Sequence, residues 1–277
     1  MASVTGRINE IEQPRGGLVK LSMFDEHDFR DNEELVNENI PASIIGLAVD
    51  YLTRVIMGSE PAYAFKASLR GSISADKYGK DGSFEEAISL IKKINGADTE
   101  SIKAACKLVA YDGWYRNPYA MLKNSSLDIN PDKKTVRNIQ IMISRCEKLF
   151  KENGDVVLDG FDFSPPNADK MKYKKMLEGK INEYGGYTTT VHSGDGDFLT
   201  KDTLWDIKVS KYKPNSKDII QVLMYWIMGQ HSVRDVFKTI KKVGIFNPRL
   251  NKSWTLEMSK LSEDIFFLIE KVFICYK

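Results

Sequence analysis

Five side chains near the middle of the second half of this sequence have the types and spacing of hydrolytic chemistry on a phosphate ester. Asp197 stands in an alternating segment, Asp206 follows nine residues later, Lys208 two beyond that, and Gln221 and Tyr225 lie four apart downstream. Cleaving a phosphodiester requires charge to be neutralised in a phosphorane-like transition state and water to become nucleophilic near neutral pH. A Mg²⁺ or Mn²⁺ ion supplies both. Such hard cations take oxygen ligands, usually a few carboxylates with waters. Asp197 and Asp206 are the candidate carboxylates, and the main-chain carbonyl of Ile207 is a natural further ligand. The Lys208 ammonium would orient the attacking water and stabilise negative charge on the scissile phosphate.

The surrounding sequence contains elements able to position these groups. YTTTVHSGDGDFL, from residue 187, is rich in threonine, valine and aromatics, as a strand should be. A polar TKD turn leads into TLWDIKVS, where alternation puts Leu204, Asp206 and Lys208 on one side and Trp205, Ile207 and Val209 on the other. Two strands and a tight turn predict a hairpin across which Asp197 and Asp206 converge. After the loop KYKPNS, SKDIIQVLMYWIMG reads as a helix capped by Ser216. Gln221 and Tyr225 share one face of it and point back toward the lysine or a phosphate. Asp195 competes with Asp197, since the two alternate on one strand; the spacing from Gly194 and packing by Phe198 favour Asp197. His192 reads as structural, Trp226 as packing and Tyr212 as a loop contact.

This order of residues resembles the PD-(D/E)XK nuclease superfamily, and within it the RecB-like exonuclease branch without an iron–sulfur cluster. That branch has a Gly-x-x-Asp strand, a strand with Asp-x-Lys and a helix with Gln-x-x-x-Tyr. Here Gly194 and Asp197, Asp206 and Lys208, and Gln221 and Tyr225 match in order. An early helix in the branch often carries Gly-x-x-x-His; IIGLAVDYLTR offers Gly46 and Asp50, an aspartate in place of the histidine. The resemblance implies an α/β fold with a restriction-endonuclease-like core, a central mixed β-sheet flanked by helices, and a large helical insertion. It implies a Mg²⁺- or Mn²⁺-dependent DNA nuclease, exonuclease-like, serving phage, mobile-element or bacterial DNA processing, recombination or defence. RNA remains open as a substrate. Asp197, Asp206, Lys208, Gln221 and Tyr225 would be the site residues, with Asp197, Asp206, Ile207 and Asp50 about the metal. The alternative is an inactive nuclease core used as a nucleic-acid-binding or protein-interaction module. On this reading Asp206→Ala or Lys208→Ala abolishes cleavage at little cost in stability.

The rest of the chain reads as scaffold. Residues 1–40 are polar and predict a loosely held arm, with VKLSM as a short strand and the DEHD cluster around His27 as a solvated acidic loop. Residues 41–57 read as a helix with Ser43 as cap, an apolar stripe, and Asp50 at its edge, bonded to Arg54 or pointing into a site. Residues 60–185 are mostly helical, with a capping box at Ser83 and Glu86. Trp114, Tyr115 and Tyr119 beside Arg116 read as packing at a helix end, with base stacking as the other possibility. The lysines at 170, 172, 174, 175 and 180 read as a solvated face. The resemblance implies that 1–277 is a single nuclease-like domain, with an arm at 1–40, an insertion at 60–185, and a catalytic hairpin, helix and strands at 187–250. The 40 basic and 38 acidic residues leave a net charge of +2, so any basic surface must be local. Three scattered cysteines without a CxxC pair argue against disulfide or cysteine–metal frameworks. No stretch approaches the ~18 apolar residues of a membrane span, and no signal peptide is apparent, so a cytoplasmic protein is expected.

Overall fold

The computed structural model of the chain describes residues 2–29, 31–123, 129–164 and 185–277. The lysine-rich segment around 170–180 lies outside them. The chain forms two compact units, one of Met1–Asp31 with Phe150–Lys277 and one of Asn32–Leu149. These boundaries differ from the expected single domain with its arm and 60–185 insertion. The reason is local packing: the early helix at 42–56 packs on helices of its own neighbourhood, while the first thirty residues contribute core and sheet to the C-terminal half.

In chain order, the first unit opens with β1 (Ala2–Ser3), α1 (Val4–Glu10) and β2 (Asp25–Asp28). Val4 and Ile8 of α1 are buried in its core, so this segment is not a loose arm. The DEHD cluster is β2, an edge strand rather than a loop, and the expected VKLSM strand is a 3₁₀ turn at Leu21–Met23.

The second unit is helical. It contains α2 (Ala42–Ile56), α3 (Pro61–Ala64), α4 (Lys66–Lys77), α5 (Ser83–Ile91), α6 (Thr99–Val109), α7 (Asp112–Arg116), α8 (Pro118–Lys123) and α9 (Lys133–Asn153), whose last turn belongs to the first unit. The stripe of α2 buries Ile44, Ala48, Tyr51 and Leu52 as its spacing requires. Several caps differ from expectation. Ser43 lies inside α2, whose N-cap is Pro41. The amides of Ser83 and Phe84 at the start of α5 donate to the Asp76 carboxylate, which replaces the Ser83–Glu86 box. A carboxylate at a helix N-terminus satisfies orphan amides and complements the dipole, and Asp76 does so from a preceding helix.

The first unit resumes with β3 (Leu158–Asp159), β4 (Val191–Ser193), β5 (Phe198–Leu199), β6 (Thr203–Ile207), α10 (Ser216–Gln230), β7 (Lys242–Asn247), β8 (Lys252–Glu257) and α11 (Glu263–Leu268), which runs into a π-helical turn at Ile269–Ile274. The architecture is mixed α/β. Six strands form a mixed sheet in the order β2-β8-β7-β6-β5-β3, and β1 pairs with β4 in a separate two-stranded sheet. β6 and β7 are parallel; the other pairs of the large sheet are antiparallel. β6 is buried along its whole length, and a strand this central carries no solvated face. Helix α10 is the crossover between β6 and β7, the connection that a parallel pair needs. Its N-cap is Asn215, not Ser216, in a capping box with Asp218. None of the three cysteines forms a disulfide, and among the described residues no helix is long and apolar enough to cross a membrane.

Candidate active site

The site begins with the β5–β6 register. Phe198 faces Trp205 and Leu199 faces Leu204, with a tight turn in which the Thr200 amide donates to the Thr203 carbonyl. Asp197 lies one residue beyond the end of this ladder, near enough to Asp206 for the two carboxylates to interact. Asp197 Oδ2 accepts the Ile207 amide at 2.7 Å. The carboxylate therefore bonds main chain beside the second acid, and the contribution of Ile207 seen here is its amide.

Lys208 continues the face of Asp206 and lies where β6 ends, its amide donating to the Phe246 carbonyl at 2.9 Å. Its Nζ is 2.9 Å from Asp206 Oδ2 and donates to Gln221 Oε1 at 2.7 Å. Gln221 Nε2 in turn donates to Tyr225 Oη at 3.0 Å and to Thr5 Oγ1 at 3.4 Å. The i, i+4 pair on α10 thus positions the lysine through the glutamine; the tyrosine is one bond further back and buried. Gly194 is part of the same arrangement: a Cβ there would lie 3.0 Å from Tyr225 Cε1 and 2.9 Å from Val4 Cγ2. A side chain at 194 would push against the ring that holds Gln221.

Burial sets the electrostatics. Asp206 is 2 % exposed, and burial pushes its carboxyl up to about 7; Lys208 opposes the shift and Asp197 adds to it. Burial alone would pull the Lys208 ammonium down, but the Asp206 and Asp197 carboxylates more than reverse this, so it stays protonated. Burial, followed by the Asp206, Asp195 and Asp197 carboxylates, raises the Tyr225 phenol well above its usual range. Asp206 Oδ2 is buried 2.9 Å from the Lys208 ammonium, its ion-pair partner. A buried carboxylate balanced by a single ammonium and pushed up further by a second carboxylate, Asp197, is a donor set suited to a hard divalent cation. Among the described residues no group of three or more His, Cys, Asp or Glu side chains is placed to hold a metal, so such a site would rest on two acids completed by other oxygens.

No family model, curated protein or solved structure matches the chain.

The remaining expected residues are placed as follows. Asp195 forms a backbone bridge with Asp162 and is exposed, whereas Asp197 is tied to β6. His192 Nδ1 lies 2.8 Å from the Ala2 carbonyl oxygen, a structural contact joining β4 to β1. Trp226 donates to the Ile240 carbonyl at 2.9 Å and packs, as expected. Tyr212 is 79 % exposed on a loop that Asn247 anchors by donating to the Ser210 and Tyr212 carbonyls at 2.8 and 3.2 Å. Asp50 belongs to the helical unit, where its carboxylate accepts from Arg54 Nε and Nη2 at 3.0 and 2.6 Å. The contributions of Thr5 and Asn247 were not readable in advance. Thr5 meets Gln221 from 216 positions away, and no local pattern announces such a contact.

Proposed function

We propose that this chain is a Mg²⁺- or Mn²⁺-dependent nuclease that hydrolyses DNA phosphodiesters, acting from ends as an exonuclease does, on a restriction-endonuclease-like core. The observation that carries the reading is Asp206. It is a carboxylate 2 % exposed, paired with a lysine ammonium 2.9 Å away and pushed up by burial and by the Asp197 carboxylate. Burying such a group opposes folding unless it is fully satisfied, so its retention in a sheet core is better explained by chemistry than by stability.

A divalent cation would be held by Asp197, Asp206 and the Ile207 carbonyl, and when bound it neutralises phosphate charge and acidifies water. The chain's own groups do the rest. Lys208 remains protonated and, fixed by Gln221, presents hydrogen-bond donors to a phosphate oxygen or to the attacking water. Gln221 is held by Tyr225 and Thr5, which keeps the ammonium from relaxing onto Asp206 alone. The sequence order from Gly194 to Tyr225 supports the family reading, and with it a cytoplasmic role in phage, mobile-element or bacterial DNA processing.

The second reading, a nuclease core that binds without cutting, draws on the absence of a three-residue metal cage among the described residues. Incubation with linear duplex, circular and single-stranded DNA, with Mn²⁺ or with a chelator, separates the two. Metal-dependent loss of linear substrate from its ends is expected. Binding with no cleavage of any substrate would replace the proposal by the second reading.

A further inference from the structure

In the helical unit, three neighbouring tyrosines lie outside the core. Tyr119 is 70 % exposed, Tyr115 41 % and Tyr78 37 %, whereas Trp114 among them is buried. Packing at a helix end therefore accounts for Trp114 and not for the tyrosines. The rings come from three elements held by a close crossing. α4 passes so near the residue before α7 that a Cβ on Gly71 would sit 1.9 Å from the Tyr111 carbonyl oxygen. Beyond that crossing Tyr78 meets Tyr119 edge-on at 5.8 Å between centroids and Trp114 at 6.2 Å.

Cations interleave with these rings. The Arg70 guanidinium lies 5.7 Å from the Tyr115 centroid and the Lys80 ammonium 5.5 Å from that of Trp114. Arg116, one residue past Tyr115, is half-exposed and pairs with Asp112 at 3.7 Å. Three acids of the region are engaged with protein groups. Asp112 accepts from Tyr51 and Ser68, Asp76 caps α5, and Glu86 accepts from Tyr111. Asp81, Glu85 and Glu86 are the exposed acids of the same stretch.

We infer that this surface binds single-stranded nucleic acid, with bases stacked on Tyr115 and Tyr119 and phosphates met by Arg70, Lys80 and Arg116. Exposed rings offer faces to any unstacked base, and the cations supply the sequence-independent attraction to the backbone. A duplex keeps its base faces inside the stack and cannot use the rings in this way. The inference does not rest on the nuclease reading, because every residue in it belongs to the helical unit and none to the Asp206 site.

The test is fluorescence anisotropy of labelled oligo-dT and oligo-U with the full chain in chelator, so that cleavage plays no part. Wild type is expected to bind both strands more tightly than duplex of equal length. Tyr119→Ala and Tyr115→Ala each weaken binding about tenfold. Tyr119→Phe, which keeps the ring, binds as wild type. Lys80→Gln reduces the slope of log affinity against log salt by about 0.7. Undiminished binding by both alanine variants, or a wild-type chain that prefers duplex or binds neither strand, overturns the inference and leaves a protein partner as the occupant of the surface. Tyr119 is mostly exposed, so its alanine variant should fold, and unchanged circular dichroism confirms that the comparison is sound.

Discussion

Asp197 Oδ2 accepts the Ile207 amide at 2.7 Å, which ties one candidate metal ligand to the residue that follows the other. The bond fixes the spacing of two carboxylates without placing either at the hairpin turn. An asparagine at 197 can still accept that amide but brings no charge. Asp197→Asn is expected to melt within a degree or two of wild type and to lose cleavage by about 10²-fold or more. Asp197→Ala leaves the amide without its acceptor and costs a further ~1 kcal/mol or more of stability. Melting curves and cleavage rates on the same preparations check both.

Lys208 and Asp206 should differ in what their loss does to stability, contrary to the expectation that both changes are nearly neutral. Lys208→Met leaves a buried carboxylate without its cation and is expected to cost ~3 kcal/mol. The pH dependence follows from the sign of the shift. A carboxyl raised to about 7 in the folded state is fully compatible with folding below its unfolded value, and that contribution is lost as pH rises through the folded one. Lys208→Met therefore falls furthest below wild type above pH ~7 and approaches it toward pH ~5. Asp206→Asn, with no carboxylate to ionise, is as stable as wild type or more so above neutrality in chelator. Denaturant titrations across this range decide it.

Gln221 and Gly194 test the positioning of the ammonium. Gln221→Ala removes the Oε1 that receives Lys208 and is expected to lower the rate about tenfold or more with the fold intact. Gly194→Ala crowds Tyr225 and Val4 and is expected to lower both melting temperature and rate. Gly194→Ala with wild-type rate would mean that the tyrosine has no part in holding the glutamine.

Glu26 on the edge strand makes a separate prediction. Lys213 at 2.7 Å, Trp254 at 3.0 Å and Lys252 at 3.1 Å hold its carboxyl down at about 2. A depressed carboxyl contributes stability above its unfolded value of 4.5, and the contribution is lost as pH falls through about 2. Glu26→Gln is expected to be slightly less stable than wild type at pH ~6, by under ~1 kcal/mol because the group is partly exposed. The difference should vanish near pH ~2, which acid denaturation of both proteins measures.

Local patterns in the sequence carried the site further than the scaffold. Alternation placed Asp206 and Lys208 on one face, the turn residues set the hairpin, and an i, i+4 spacing joined Gln221 to Tyr225, because each of these relations spans only a few residues. Long-range relations were not legible. The burial of α1 in the core, the contact of Thr5 with Gln221 and the capping of α5 by Asp76 depend on tertiary packing that leaves no periodic trace. The division into two units was hidden for a related reason: no composition change marks residues 31 and 149, since continuous helical and polar segments run across both.

The most direct measurement is cleavage of an end-labelled linear duplex by purified wild type and Asp206→Asn, each with Mn²⁺ and with chelator. Wild type should release product only with the metal, and Asp206→Asn should fall by about 10²-fold or more while melting no lower than wild type. Equal metal-dependent cleavage by the two proteins, or none by wild type, would contradict the account.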